Sequence, residues 1–206
     1  MKTVLGITGG IACGKSTVTR MLAERGAQTA SADEDARAVV APDSPTLPAV
    51  REAFPEAFSA DGALDRAALG RRVFSDPAAR ERLEAITHPA IIARMRAVID
   101  AARRDPAPGV LAYEVPLLYE AGLESLFDAV LAVVCSPEVQ AARLQAREAA
   151  AGRPPLTPEA MAGRLAAQMP VTEKARRADF VVRTDGSLEE TQAQVAAVWG
   201  RLVAVE

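Results

Sequence analysis

The chain has 206 residues, of which half are apolar and a quarter are charged, as in a globular enzyme with one sizeable core. Its 24 basic and 27 acidic residues give a formal net charge of −3. This balance excludes a broadly basic nucleic-acid-binding surface, so we expect no nucleic-acid partner and expect local groups to hold any bound anion.

Five short apolar runs predict β-strands, at residues 4–8, 28–32, 110–115, 129–135 and 180–183. Several of them are apolar throughout, as in a parallel sheet that helices cover on both faces. Between the first two runs, residues 14–25 have a helical pattern that ends at Gly26, a residue suited to a C-terminal cap. The order strand, loop, helix, strand predicts an α/β fold with a five-stranded parallel sheet.

Residues 33–104 contain no convincing strand but several helical segments with capping residues. Asp65 precedes one helix, over residues 66–74, and Asp76 begins another. A helical insertion of about 70 residues far exceeds an ordinary loop, and long insertions in α/β enzymes usually shape the substrate site. The predicted parts of the single domain are a core of residues 1–33 and 105–206, which carries the sheet, and a helical insertion of residues 34–104.

A later helical segment is interrupted near its middle. Residues 137–147 have a helical pattern, a Gly-Arg-Pro-Pro sequence at residues 152–155 breaks it, and Thr157 restarts it as a capping residue. Two helices joined by such an elbow predict a lid over residues 141–170. A final helix begins at a capping box headed by Ser187, and we expect it to pack against the sheet.

The loop after the first strand carries a phosphate-binding motif. It matches GxxxxGK[ST] and consists of Gly9, Gly10, Ile11, Ala12, Cys13, Gly14, Lys15 and Ser16. Glycines let backbone amides turn inward around phosphate oxygens, and the start of the helix adds roughly half a positive charge. We expect Lys15 to bridge the β- and γ-phosphates of ATP and the Ser16 hydroxyl to coordinate Mg²⁺, with Thr17 completing the loop's ATP-binding set. The alternative is an ordinary glycine-rich turn, which the agreement of motif, strand and helix disfavours.

The sequence shows no pattern of a membrane or secreted protein. No apolar segment approaches the roughly 20 residues of a membrane span, and the first residues lack the apolar core of a signal peptide. Cys13 and Cys135 are far apart in the sequence, and their spacing matches no metal-binding or disulfide pattern, as is usual for a protein of a reducing compartment. We therefore expect a soluble cytoplasmic protein without membrane contact, and both a monomer and a homo-oligomer fit the sequence. Cys13 is either a redox switch or a small packing residue of the loop, and the sequence favours the second.

Two acidic residues follow predicted strands. Asp33 follows the second strand, and α/β sheets bind their ligands at the carboxyl ends of parallel strands. It is the best candidate for the carboxylate that orients the acceptor hydroxyl, and the alternative is that it caps a helix over residues 34–40. Glu114 closes the third strand, where it would hold Mg²⁺ directly or through water; the alternative is an ordinary acid at a strand end.

Arg143 and Arg147 share one face of the helix before the elbow because they are four residues apart. One of them could close on the transferred phosphate, where an arginine contributes about 10³ to 10⁵ in rate. Only three of the 24 basic residues are lysines, so the alternative that any one arginine is simply solvated also applies. His88, the single histidine, precedes Pro89 at a predicted helix start, with a substrate contact as the alternative interpretation.

The sequence resembles the dephospho-coenzyme A kinase family across nearly its whole length. The matching segments are residues 6–11, 32–37, 88–89, 115–120, 136–138, 164–168 and 178–181. The phosphate-binding loop alone is shared by a large superfamily, whereas the Pro-Leu-Leu-x-Glu segment beginning at Pro116 and the helical insertion narrow the resemblance. This family transfers the γ-phosphate of ATP to the 3′-hydroxyl of dephospho-coenzyme A, the last step of coenzyme A synthesis.

The resemblance implies an adenylate-kinase-like P-loop NTPase fold of three α/β/α layers. It makes the insertion an acceptor-binding domain and the arginine-bearing segment an ATP lid, with ATP, Mg²⁺ and dephospho-coenzyme A as ligands. The implied catalytic residues are Asp33, Lys15 and Arg143, with Arg147 in the ATP-binding set. The implied acceptor-binding residues are Asp33, Arg37, His88, Leu117 and Glu120.

The chain departs from the family pattern at three places. Ser31 stands where the family commonly has the first carboxylate of Asp-x-Asp, Thr184 stands where it has an asparagine, and residues 149–155 lengthen the lid. Two other functions therefore stay open. One is another small-metabolite or nucleoside kinase on the same core. The other is a nucleotide-binding regulatory module without catalysis, for which the missing carboxylate is the only hint.

Overall fold

The apolar runs form a sheet in the computed structural model, which describes residues 2–204. The strands within that range are β1 (Lys2–Gly9), β2 (Gln28–Ser31), β3 (Gly109–Glu114), β4 (Ala129–Val134) and β5 (Phe180–Arg183). Their order is β2-β3-β1-β4-β5, and each pairing is parallel. In the central strand β1, seven of the eight residues are buried, as expected for a strand covered on both faces. The predicted α/β fold with a five-stranded parallel sheet is confirmed.

The segments between the strands are largely helical. The α-helices of the described residues are α1 (Lys15–Ala23), α2 (Ala32–Ala38), α3 (Leu47–Ala53), α4 (Arg66–Ser75), α5 (Pro77–Arg104), α6 (Pro137–Ala150), α7 (Pro158–Ala166), α8 (Val171–Arg177) and α9 (Leu188–Val203). Short 3₁₀ turns occupy Pro55–Ala57 and Glu124–Leu126. Between residues 2 and 204, none of these helices combines the length and the apolar content needed to cross a membrane.

Several helix ends have the caps that the sequence predicts. Asp65 accepts hydrogen bonds from the amides of Ala67 and Ala68, both at 2.9 Å, at the start of α4. Ser187 and Glu190 form the predicted capping box of α9. After α1, the amide of Gly26 donates to the Ala23 carbonyl and the next amide donates to the Leu22 carbonyl, the pairing of a Schellman motif.

Side chains cover both faces of the sheet. On one face, α1 and α9 pack on the strands through a continuous apolar core that includes Leu5, Ile7, Val18, Met21, Leu22, Val110, Leu131, Val133, Val195 and Leu202. Each large aliphatic side chain buried there contributes roughly 1.5 to 3 kcal/mol. On the other face, a Cβ added to Gly6 would lie 2.8 Å from both Leu118 and Phe127, so glycine lets these side chains reach the strand.

The described chain divides into two compact units. The first contains the sheet and comprises the residues up to Ser31 and from Ile99 onward, and the second is Ala32–Val98. The second unit has its own apolar core, whose buried members include Val39, Val50, Phe54, Ala57, Leu69 and Ala79.

The prediction that a helix starts at His88 and Pro89 is wrong, because α5 runs through both residues. A proline inside a helix costs about 3 kcal/mol, since it removes an amide and its ring crowds the preceding turn. The helix continues because Leu83, Ile86 and Ala90, at helical spacing on both sides of the proline, pack on the core of the second unit. His88 itself is exposed.

Candidate active site

The backbone between β1 and α1 is shaped by steric and conformational limits. A Cβ on Gly9 would lie 2.1 Å from the carbonyl oxygen of Val133, so only glycine lets β1 pass β4 at this point. Ala12 and Gly14 have positive φ angles of 60° and 83°. Among the described residues, Ala12 is the one non-glycine residue with a positive φ, a strain that typically occurs where a loop must hold a ligand. Turns of this kind point successive amides toward a common centre, as an anion requires.

The Lys15 side chain folds back over this loop. Its ammonium donates hydrogen bonds to the carbonyl oxygens of Gly9 at 3.1 Å and Gly10 at 3.0 Å. The positive charge therefore lies at the loop itself, beside the start of α1, where the helix dipole also attracts anions.

Hydroxyl and carboxylate oxygens meet where β3 ends beside α1. The Ser16 hydroxyl lies 3.3 Å from one carboxylate oxygen of Glu114, and the Thr19 hydroxyl lies 3.3 Å from the other. Such hard oxygen donors suit Mg²⁺, which uses one or two protein ligands together with water and phosphate oxygens. The part of the chain that is described contains no cluster of three or more acidic, histidine or cysteine ligands. The Ser16 hydroxyl and the Glu114 carboxylate are donors that fit such an ion.

Arg143 reaches the loop through Thr184. Its guanidinium donates to the Thr184 hydroxyl at 2.9 Å and to the Thr184 carbonyl at 2.6 Å. The same hydroxyl donates to the carbonyl oxygen of Cys13 at 2.8 Å. A Cβ on Gly14 would lie 3.8 Å from the Arg143 guanidinium, so this arginine is close to the loop. Arg147, one turn further along α6, is exposed.

Both cysteines are buried, and the Cys135 thiol lies 3.3 Å from the Cys13 sulfur. Burial, and next the hydrogen bond with Cys13, raise the pKa of the Cys135 thiol to about 12. Cys13 is part of the apolar core beneath the sheet face that carries α1. This geometry favours the interpretation of Cys13 as a packing residue.

The elbow between α6 and α7 is held by a buried acid. Glu148 accepts hydrogen bonds from Arg153 at 2.6 and 3.1 Å and from Arg164 at 2.7 Å. Hydrogen bonds from Arg153 and then from Arg164 lower the pKa of Glu148 from its ordinary 4.5 to about 2. Gln145 also bonds to both backbone groups of Leu156, each at 2.9 Å.

The segment after β3 surrounds a fully buried lysine. The Lys174 ammonium lies 2.7 Å from the Pro116 carbonyl oxygen and 2.9 Å from the Glu120 carboxylate. Partial burial raises the pKa of Glu120, but hydrogen bonds from Lys174 and from the backbone outweigh that effect, and the net shift is downward. Leu117 lies in the same segment with 47% of its surface exposed.

Asp33, Arg37 and His88 belong to the second unit. Asp33 lies within the first turn of α2, which begins at Ala32, so the interpretation that it precedes and caps a helix at residue 34 is wrong. An acid in a first turn is favoured by the helix dipole. The Arg37 carbonyl oxygen accepts a hydrogen bond from Arg66 at 3.0 Å.

Within the first unit, the structure brings the loop, Glu114 and Arg143 together. The sequence interpretation missed three residues that support this group, Gln140, Gln168 and the hydroxyl of Thr184, and it also missed Lys174, which holds the segment after β3. A signal for Gln140 was available, because it falls on one helical stripe with Leu144 and Glu148, and all three are buried.

Comparison with known proteins agrees with these features. The family model described as Dephospho-CoA kinase matches residues 3–190. The chain belongs to the dephospho-CoA kinase family. Kinase membership implies ATP as the co-substrate. A dephospho-CoA kinase of Anaeromyxobacter dehalogenans is 52% identical over 188 residues, which are 90% of this chain and 85% of that protein. One from Symbiobacterium thermophilum is 46% identical over 95% of this chain and 80% of its own length.

Solved structures show the same fold. The dephospho-CoA kinase from Campylobacter jejuni is similar with a TM-score of 0.74 and 26% identity, over 99% of this chain and 98% of that one. The protein TT1252 from Thermus thermophilus has a TM-score of 0.77 and 35% identity, over 98% of both chains. A shikimate kinase from Acinetobacter baumannii has a TM-score of 0.52 over 99% of this chain and 94% of its own, but at 16% identity it shares the fold alone.

Proposed function

We propose that this protein transfers the γ-phosphoryl group of ATP to the 3′-hydroxyl of dephospho-coenzyme A, giving coenzyme A and ADP in the last step of coenzyme A biosynthesis. The observation that carries the proposal is the family match over residues 3–190. The phosphate-binding loop supports an ATP-using enzyme but does not select an acceptor, because many enzymes share it.

On the donor side, the loop of residues 9–16 and Thr17 bind the phosphates of ATP. Lys15 exchanges the carbonyl oxygens of Gly9 and Gly10 for phosphate oxygens, a stronger charge-assisted pairing. Its ammonium then lies between the β- and γ-phosphates, where it stabilises the charge that develops during transfer.

Ser16 and Glu114 would hold Mg²⁺, Ser16 through its hydroxyl and Glu114 directly or through a water molecule. When bound, the ion neutralises charge on the β- and γ-phosphates. The closeness of the two side chains, 3.3 Å between oxygens, supports this assignment.

Two lid arginines complete the donor site in this proposal. Arg143 stabilises the transferring phosphoryl group, and Arg147 binds ATP from the exposed face of α6. The hydrogen bonds from Arg143 to Thr184 support its role, because they hold the guanidinium beside the loop before any substrate arrives. Residues 141–170 form the lid.

On the acceptor side, Asp33 accepts the proton of the 3′-hydroxyl. The hydroxyl oxygen forms a bond to the γ-phosphorus while the bond from that phosphorus to the bridging oxygen of ADP breaks. A base of this kind contributes about 10² to 10⁴ in rate. Residues 34–104 are the acceptor-binding insertion, and the substrate contacts are Arg37, His88, Leu117 and Glu120. The exposed apolar surface of Leu117 and the partly exposed carboxylate of Glu120 support their part in this set.

We place this activity in the cytoplasm, where the thiol product stays reduced, and the two free cysteines are consistent with that compartment.

The test is acceptor-dependent ADP formation by the purified protein with Mg²⁺ and ATP. The panel comprises dephospho-coenzyme A, nucleoside monophosphates, shikimate and gluconate, and the product is identified by mass and by ³¹P NMR. We expect turnover with dephospho-coenzyme A alone and its loss in Lys15→Met, which excludes a contaminating kinase. Equal turnover with another acceptor would overturn the substrate assignment, and no turnover with any acceptor would indicate a nucleotide-binding module.

A further inference from the structure

Two glutamines grip one residue of the phosphate-binding loop from outside it. The Gln140 side-chain amide donates to the Ile11 carbonyl oxygen at 2.8 Å, and the Gln168 side-chain oxygen accepts from the Ile11 amide at 2.9 Å. The backbone N–H and C=O groups of Ile11 therefore both form hydrogen bonds with side chains and not with neighbouring backbone groups. The geometry points to Gln140 and Gln168 as positioning residues that keep the loop in its nucleotide-binding shape, an inference that rests on the proposed use of ATP.

The two glutamines have opposite roles that their partners determine. A backbone amide can bond only to the oxygen of a glutamine, and a backbone carbonyl can bond only to its nitrogen. Gln140 is therefore a donor and Gln168 an acceptor. A glutamate, which is nearly the same size, can replace Gln168 in this bond but cannot replace Gln140.

The glutamine on α6 lies tightly against the loop. Gln140 is 5% exposed, and a Cβ on Gly10 would lie 2.5 Å from its nitrogen and 2.4 Å from Val171. A buried amide placed this close has an energetic reason to keep its partner, because an unsatisfied buried polar group costs about 1 to 3 kcal/mol.

The grip acts next to the strained part of the loop. Ile11 precedes Ala12, whose φ of 60° is unfavourable for a residue with a side chain. Fixing Ile11 on both sides limits how far this strain can relax, so the inward-facing amides are already arranged when the phosphates arrive. Without the grip, part of the binding free energy would be spent on ordering the loop.

The same contacts connect the loop to the two lid helices. Gln140 is on α6, three residues before Arg143, and Gln168 follows the end of α7 at Ala166 by two residues. The conformation of the loop therefore depends on the positions of α6 and α7, the two helices of the lid. This dependence distinguishes a positioning role from simple support of the fold.

The test measures Mg·ADP binding by calorimetry without an acceptor, for Gln140→Ala, Gln168→Ala and the wild type. We expect Kd to rise about three- to tenfold in each variant, the equivalent of one hydrogen bond. In turnover assays KM for ATP should rise in parallel while KM for dephospho-coenzyme A stays unchanged. Wild-type Kd values in both variants would overturn the inference.

Glutamate substitutions separate the hydrogen bonds from folding defects, because they preserve side-chain size. Gln140→Glu and Gln168→Glu introduce the same negative charge beside the same residue, and only the carboxylate at position 168 can still accept a hydrogen bond from the Ile11 amide. We expect Gln140→Glu to lose about three- to tenfold more Mg·ADP affinity than Gln168→Glu, because only Gln140→Glu loses its hydrogen bond to Ile11. Equal losses would contradict the assigned roles.

Gln194→Ala is the matched control. Gln194 on α9 bonds to both backbone groups of Arg183, each at 2.9 Å, which is the same kind of grip on the edge strand β5. We expect this variant to keep the wild-type Kd for Mg·ADP. A rise in Kd equal to that of Gln168→Ala would show that the effect comes from a general loss of stability and not from the contacts with Ile11. The binding assay needs no acceptor, so a failure to phosphorylate dephospho-coenzyme A would overturn the proposed function without bearing on this inference.

Discussion

Arg143 is held by Thr184 through two hydrogen bonds, at 2.9 Å to the hydroxyl and 2.6 Å to the carbonyl oxygen. Thr184 is 5% exposed. Its hydroxyl accepts a hydrogen bond from the Arg143 guanidinium and donates one to the Cys13 carbonyl oxygen. This threonine therefore connects an arginine of α6 to the loop between β1 and α1.

Thr184→Val should weaken this connection without changing the side-chain volume. The carbonyl contact to Arg143 remains, so we expect kcat/KM for ATP to fall only about two- to tenfold, as for loss of one hydrogen bond. The Cys13 carbonyl loses its donor, so the free energy of unfolding should fall by about 1 to 3 kcal/mol in urea denaturation. Thr184→Ser keeps the hydroxyl and should behave as wild type, and a valine variant with unchanged kcat/KM would contradict the role.

Asp33→Asn should remove the proposed base while leaving the donor site intact. We expect kcat to fall by about 10² to 10⁴, because the amide cannot accept the proton of the 3′-hydroxyl. Mg·ATP affinity measured by calorimetry should stay at the wild-type value. Asp43→Asn, at an exposed acid of the same unit, is the control. Near wild-type turnover in Asp33→Asn would exclude Asp33 as the base.

Most of the fold could be predicted because local signals and tertiary structure agree. Four of the five strands coincide with apolar runs, whereas β2 has the sequence Gln-Thr-Ala-Ser and no buried residue. The capping residues Asp65, Thr157 and Ser187 mark helix starts where the structure has them. His88 shows where local rules fail. A proline normally follows a helix boundary, but burial of the apolar positions on both sides outweighs that preference in α5.

Apart from Gln140, the support of the candidate site could not be predicted, because it depends on contacts that are distant in sequence. Gln168 bonds to a residue 157 positions away, and Lys174 bonds to Pro116 and Glu120 more than 50 positions away. No periodicity or motif pairs such positions. The loop, by contrast, could be found because its chemistry is local, with Lys15 and Ser16 fixed in sequence relative to the glycines.

Lys174→Met should show that the buried ammonium holds the segment after β3. The substitution leaves the Glu120 carboxylate with the Met169 amide as its donor and the Pro116 carbonyl with the Thr8 hydroxyl, but it removes the buried charge that pairs with Glu120. Breaking a buried pair costs about 3 to 5 kcal/mol. We expect the free energy of unfolding, measured by urea denaturation, to fall by about 3 kcal/mol, the lower end of that range, because 24% of the Glu120 side chain is exposed to water. The double variant Lys174→Met, Glu120→Gln should recover part of that stability, and a double variant as unstable as the single one would show that the ion pair is not the cause.

Glu148→Gln should loosen the elbow between α6 and α7 in a pH-dependent way. The pKa of Glu148 is lowered from 4.5 to about 2 in the folded protein by Arg153 and Arg164. A lowered pKa means that this acid stabilises the fold fully at pH above its unfolded value and loses that effect as pH falls through the folded value. The difference in unfolding free energy between wild type and Glu148→Gln should therefore be constant above about pH 5, shrink between about pH 4.5 and 2, and vanish below that range.

Hydrogen exchange of residues 151–157 should follow the same profile. Glu159→Gln, at an exposed acid in the first turn of α7, should change the exchange of these residues much less. A difference that persists undiminished at pH 2, or is already lost at pH 6, would show that the two arginines do not act through the ionised carboxylate.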